Sequence, residues 1–184
     1  MIWSENNSNL YAKIFSRYND VERPEFFVSN YYANDNFPKR PFSISGLKSG
    51  GFVLAWRSSS KMLYQIFSDD MKEDDIKIPR IINGSFSGNS YPVTCSLTTG
   101  FAIIWSNEYV SQIFGILFDE KGNFVSGFNI SIILSGVPLK YSVSIAELSS
   151  GRFIVSWIDK SYGIWGQNIQ FKSFVIIIYK LKLL

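Results

Sequence analysis

Histidine is absent from this 184-residue chain, and cysteine occurs once, at Cys95. Without an imidazole there is no Ser-His-Asp or Cys-His triad and no histidine-ligated zinc, haem or non-haem iron. A single thiol excludes intrachain disulfides and cysteine-cluster metal sites. An excess of one charge is missing too. Eighteen Lys and Arg against 15 Asp and Glu leave a net charge of +3, spread along the chain, which argues against nucleic acid as a partner. Long hydrophobic runs are also lacking. The most apolar stretch, residues 174–179, is far short of the roughly 20 residues a membrane helix needs, so no transmembrane segment is expected. The N-terminal Met1-Ile2-Trp3-Ser4-Glu5 has neither the basic start nor the apolar run of a signal peptide, and localisation stays open.

What the chain has in quantity is apolar and aromatic side chains, 46% and 17% of its residues, enough for a buried core. Their arrangement is periodic. Trp3, Trp56, Trp105 and Trp157 follow one another at intervals of 53, 49 and 52 residues. The last three close near-identical text: Leu47-Lys-Ser-Gly50-Gly-Phe52-Val-Leu-Ala-Trp56, Leu97-Thr-Thr-Gly100-Phe101-Ala-Ile-Ile-Trp105 and Leu148-Ser-Ser-Gly151-Arg-Phe153-Ile-Val-Ser-Trp157. The shared form is Leu-x-x-Gly, an optional residue, then Phe-x-φ-x-Trp with φ aliphatic. After each Trp comes an aromatic-rich hexamer: residues 10–15, 62–67, 113–118 and 164–169. A polar turn, a short apolar segment and an alternating run (Phe42-Ser-Ile-Ser, Val93-Thr-Cys-Ser, Val143-Ser-Ile-Ala) then lead into the next Leu-x-x-Gly.

These segments are short, rich in β-branched and aromatic residues, and bounded by Gly, Asn, Ser, Asp and Pro, so they read as strands. The period-2 runs suit strands with one buried face. No window sustains an uninterrupted helical stripe, and almost no helix is expected. Gly50, Gly100 and Gly151 suit tight hairpins, where glycine takes positive φ without steric cost. The fold class is therefore all-β: about four repeated four-stranded antiparallel sheets, β-propeller-like, as a partial propeller or an open blade array. A blade cannot bury both faces alone and must pack against its neighbours. The repeated tryptophans, with Phe52, Phe101 and Phe153, read as core wedges at equivalent positions, and Trp165 reads as core as well. Residues 1–170 form one array, divided as a partial unit 1–47, units 48–97 and 98–148, and a partial unit 149–170. Residues 171–184 stand apart as an off-pattern apolar tail. The truncated outer units point to a fragment of a larger repetitive protein.

This pattern, with Leu63-Tyr-Gln-Ile-Phe67 and the turn Asp119-Glu-Lys-Gly122, resembles a roughly 50-residue β-propeller-like repeat found in large surface or secreted proteins of protists and in adhesin-like bacterial proteins. The resemblance covers nearly all of residues 3–170. It implies binding or spacer modules, an extracellular or cell-surface setting, and further repeats in a longer chain.

Motifs that carry chemistry are few. The acidic turn offers Asp69, Asp70 and Asp74 as calcium ligands. It lacks a glycine at the bend and alternating carboxylates, and Lys72 interrupts it, so it reads as a solvated turn. A glycosidase needs a spaced carboxyl pair with one raised pKa. The candidates Glu25, Glu108, Glu147 and Asp159 occupy different repeat positions, Glu108 and Glu147 are expected to be solvated beside turns, and the sialidase-type Asp-box is absent. Cys95, matched with Ile44 and Ile145, reads as a small buried hydrophobe. No phosphate-cradling loop is present. Asn6-Asn7-Ser8, Asn83-Gly84-Ser85 and Asn129-Ile130-Ser131 match the glycosylation pattern, which matters only in an exported chain. No catalytic residue and no cofactor follow. The leading reading is a non-catalytic interaction or structural module with a protein or glycan ligand, binding through loops at one face. The alternative is a carbohydrate-binding or carbohydrate-active propeller, with Tyr11, Tyr64, Phe114 and Trp165 lining a sugar face.

Overall fold

A computed structural model describes residues 1–5, 9–16, 18–30, 42–58, 60–70, 79–84, 86, 90–107, 109–131, 143–148, 152–158, 164–172 and 175–183. The side chains of Ser4, Asn30, Ser131, Asn168 and Gln170 and of residues 171–183 lie outside that description. All the regular elements among the described residues are strands: β1 Ile2–Glu5, β2 Asn9–Phe15, β3 Val21–Asn30, β4 Phe42–Gly46, β5 Phe52–Ser58, β6 Lys61–Phe67, β7 Arg80–Ile82, β8 Val93–Leu97, β9 Gly100–Asn107, β10 Gln112–Asp119, β11 Phe124–Ser131, β12 Ser144–Glu147, β13 Arg152–Ile158, β14 Ile164–Lys172 and β15 Val175–Leu183. They make four antiparallel meanders. The first is the three-stranded β1-β2-β3. The others are the four-stranded β4-β5-β6-β7, β8-β9-β10-β11 and β12-β13-β14-β15.

The first sheet thus has one strand fewer than the repeat implies. Trp3 pairs with Tyr11 as Trp105 pairs with Phe114 and Trp157 with Trp165. β1 therefore corresponds to β5, β9 and β13, and nothing among the described residues takes the place that β4, β8 and β12 occupy beside those strands. The 171–184 stretch, set apart by its composition, contributes β15, which pairs with β14 from Ile164↔Leu183 to Lys172↔Val175. An edge strand needs only an extended partner of matching length, so it forms without the repeat's text.

Period 2 sends alternate side chains of each strand to opposite faces, and the motif uses both. On β9, Phe101, Ile103 and Trp105 face the preceding sheet, packing with Val53, Ala55, Met62, Tyr64 and Ile82. Ala102 and Ile104, the residues between them, face the following sheet and pack with Phe153, Val155 and Trp157. Trp56 lies against the first sheet's Leu10, Ala12 and Val28. Each Phe-x-φ-x-Trp row is thus a back face laid on the forward face of the sheet before it. Trp56, Trp105 and Trp157 are 0%, 2% and 1% exposed. Phe52 stacks on its cross-strand partner Phe67 with ring centroids 4.6 Å apart, and Phe101 on Phe118 at 5.0 Å. Trp165 is partly buried against the same cluster as Trp157.

The glycine of Leu-x-x-Gly is required by close approach. The hairpin crosses the end of the strand after next, so a Cβ on Gly100 would lie 2.0 Å from the carbonyl oxygen of Phe118, and one on Gly51 2.1 Å from that of Phe67. Both glycines hold positive φ, 150° and 73°. In the unit with two consecutive glycines, the one that meets the neighbouring strand is Gly51. Gly50 (φ 95°) supports the turn beside Asp69. Gly151 lies outside the described residues.

Candidate functional site

In the second and third sheets the Leu-x-x-Gly hairpins and the ends of β6 and β10 lie at the same end, because β5 and β9 start there and β6 and β10 return there. That end holds several charged groups that join one sheet to the next. On its inner side, three successive sheets contribute. Glu147, at the end of β12, accepts hydrogen bonds at Oε1 from the backbone N–H of Thr98 (2.5 Å) and from its Oγ1 (2.6 Å). Its Oε2 lies 3.6 Å from Lys48 Nζ. Lys48 and Thr98 occupy the same place in successive hairpins, and the Glu147 side chain is only 14% exposed. Partial burial alone would raise its pKa. The Thr98 hydrogen bonds and the Lys48 ammonium outweigh that, and the carboxyl sits below its ordinary value.

Two hydroxyls support this junction from the inner strands. Ser43 and Ser45 on β4 accept the backbone N–H groups of Thr94 (3.0 Å) and Ser96 (2.9 Å) on β8, and the Ser43 and Thr94 hydroxyls lie 3.0 Å apart. Backbone donors on an inner strand are thereby satisfied across a sheet boundary, where no ladder reaches them. On the outer side, the turn 119–123 is closed by Asp119, whose carboxylate accepts from the backbone N–H groups of Asn123 (2.7 Å) and Lys121 (2.9 Å) and from Asn123 Nδ2 (2.8 Å). These bonds, the Asn123 backbone first among them, hold its pKa below the ordinary value. The preceding sheet grips the same turn. Arg80 Nη1 donates to the carbonyls of Gly122 (2.7 Å) and Lys121 (2.9 Å), and the Tyr64 hydroxyl donates to Gly122 (3.0 Å).

Several sequence expectations meet a different placement. Glu147 is not a solvated turn residue: it reaches back to the preceding hairpin, and the only hint in the sequence is its place just before a repeated Leu. The four hexamer aromatics do not share a face. Trp56 pairs with Leu63, so Tyr64 lies one residue out of step with Tyr11, Phe114 and Trp165 and points forward, 4% exposed, into the next junction. Phe114 stacks on Trp105 and Tyr11 on Trp3. Cys95 is half-buried and pairs with Ala102, which matches it to Ser45 and Ala146 rather than to Ile44 and Ile145. The hairpin sets this register, and matching the runs from their first residue hid it. Burial raises the Cys95 thiol pKa. Trp3 is half-buried, with Nε1 donating to Glu5 Oε1 at 3.3 Å. Of the acidic turn, Asp69 and Asp70 are exposed, and Asp70 accepts a hydrogen bond from Ser68 Oγ at 2.6 Å. Asp74, Glu108 and Asp159 lie outside the described residues, while Glu25 is exposed on β3. Among the described residues no cluster of acidic or sulfur side chains has the geometry of a metal site, and no helix is long and apolar enough to cross a membrane.

The sequence matches no family model and no curated protein. The fold does have solved counterparts. A fucose-specific lectin of Aleuria aurantia, described as a six-bladed β-propeller, superposes with TM-score 0.52 at 8% identity, over 99% of this chain and 62% of the lectin. A variant of that lectin in complex with Fucα1-6GlcNAc gives 0.54 at 8% identity, over 99% and 63%. A triple arginine-to-alanine variant of AofleA from Arthrobotrys oligospora gives 0.53 at 10% identity, over 99% and 56%. The chain therefore has a β-propeller-type fold, and it spans about three fifths of the length of the Aleuria aurantia lectin.

Proposed function

We propose that the chain is a non-catalytic, glycan-binding propeller module. The observation that carries this reading is the turn-bearing end, where sheet packing fixes an ammonium, a hydroxyl and a carboxylate from three sheets at one surface junction, with the Arg80 guanidinium on the outer side of the boundary between the second and third sheets. Sugar hydroxyls are recognised by such fixed donors and acceptors on rigid elements. The Aleuria aurantia lectin, which is fucose-specific and has been solved in complex with Fucα1-6GlcNAc, supports the ligand class and makes a fucoside the first probe. The test is titration of the chain with α-methyl-L-fucoside and a panel of other monosaccharides, read by tryptophan emission and by calorimetry. Saturable binding is expected, weakened by Lys48→Ala or Arg80→Ala. A flat response in both readouts across the panel overturns the proposal.

A second reading, a structural spacer, is favoured by one feature of the same junction. Lys48, Thr98 and Glu147 satisfy one another, as a latch between sheets would. In that case Lys48→Ala lowers stability and no sugar binds.

A further inference from the structure

The sheet-to-sheet junction is built three times inside the chain, always the same way: the tryptophan row of one sheet on the forward face of the sheet before it. Among the described residues, no sheet covers the back face of the first sheet or the forward face of the last. The position held by Trp56, Trp105 and Trp157, at most 2% exposed, is held in the first sheet by half-buried Trp3. Among the described residues, the ring and hydrogen-bond contacts of Trp3 and of Tyr11 beside it stay within that sheet: Trp3 with Tyr11 and Glu5, Tyr11 with Phe27 and Asn9. The other end shows the opposite deficit. Cross-strand register places Ile164 where Leu10, Met62 and Ile113 stand in the earlier sheets. Those three are at most 1% exposed, whereas Ile164 is 46% exposed. On β13, Ile154 and Ser156 are half-buried at the positions where Val53, Ala55, Ala102 and Ile104 are wholly enclosed.

We propose that these two ends are complementary and that copies of the chain associate head to tail, the Trp3 row of one copy seating on the Ile154 and Ile164 face of another. The contact repeats the chain's own internal junction, so its side-chain complementarity is present three times over in the structure. Such an interface is heterologous: the two surfaces differ, and successive copies extend into a ring or an open chain according to the rotation between them.

The test uses the full chain and two variants, each disabling one end: Trp3→Arg and Ile164→Arg. Circular dichroism checks that each folds, and sedimentation velocity follows association as concentration rises. Wild type is expected to assemble with concentration, and each variant alone is expected to stop at the monomer. An equimolar mixture of the two, which holds one intact copy of each surface, is expected to form a 1:1 pair and nothing larger. A wild type that remains monomeric up to its solubility limit overturns the proposal. So does a folded Trp3→Arg variant that assembles as wild type does, or a mixture that fails to pair. Should Trp3→Arg not fold, Trp3→Ala takes its place with the same outcomes. Sugar titrations do not enter this test, so its failure and that of the glycan reading are distinguishable.

Discussion

Replacing Trp56 by Ala empties the space between the first and second sheets, where the indole is fully enclosed beside Leu10, Ala12 and Val28. Truncation of a buried tryptophan costs about 3–5 kcal/mol, combining lost transfer energy with the cavity left behind. Trp56→Phe is a sharper probe. The Trp56 indole N–H meets no acceptor among the described residues, and a buried unpaired donor costs about 1–3 kcal/mol. Removing that N–H offsets part of the lost ring area, so Trp56→Phe is expected to cost less than half as much as Trp56→Ala. Trp3→Ala, at the same repeat position but half-buried, is expected to cost about 1 kcal/mol, typical of a substitution outside a closed core. The assay is urea unfolding followed by far-ultraviolet circular dichroism, at low protein concentration so that association does not contribute. Equal losses for Trp3→Ala and Trp56→Ala would refute the idea that burial between sheets, and not the motif itself, makes the tryptophan matter. An unmoved midpoint for Trp56→Ala would refute the core assignment altogether.

Two further outcomes follow from the hairpins and the Glu147 junction. Gly100→Ala places a methyl group against the Phe118 carbonyl and a side chain at positive φ. It is expected to lower stability by more than the roughly 0.5 kcal/mol of ordinary surface changes, whereas Gly127→Ala, whose Cβ meets only ordinary contacts, serves as the mild control in the same unfolding assay. Glu147 has its carboxyl pKa lowered in the folded chain, so the stability it contributes is complete above its unfolded value, about 4.3, and is lost as pH falls through the folded value. Glu147→Gln is expected to flatten part of the acid limb of a stability–pH curve measured by thermal melts, leaving the contribution of Asp119. An acid limb identical to that of wild type would remove Glu147 from the junction's energetics.

Much of the architecture is legible along the chain, and the reasons are local. The Leu-x-x-Gly and Phe-x-φ-x-Trp texts state a hairpin and a two-sided strand in adjacent residues, so the period, the strands and the buried tryptophans can be read directly. Register between strands is less accessible. Tyr64 and Cys95 each land one residue from where a left-to-right match of the runs puts them, and in a strand one residue means the opposite face. The candidate site is the least legible part. Lys48, Thr98 and Glu147 are separated by about one repeat each, and none belongs to a motif that chemistry would recognise.

Sequence by itself determined what a single sheet needs: strands of period 2, a glycine where the hairpin crosses its neighbour, and apolar residues on both faces so that no sheet is stable alone. Tertiary structure alone decided which groups meet between sheets, among them Glu147 with Thr98 and Lys48, Arg80 with the 119–123 turn, and Ser43 and Ser45 with the β8 backbone. It also decided which repeat positions are less enclosed than their counterparts, at Trp3 and at Ile164. The physical reason is that local propensity and periodicity act within a few residues, whereas burial and hydrogen bonding across a junction depend on the stacking of whole sheets about 50 residues apart in the chain.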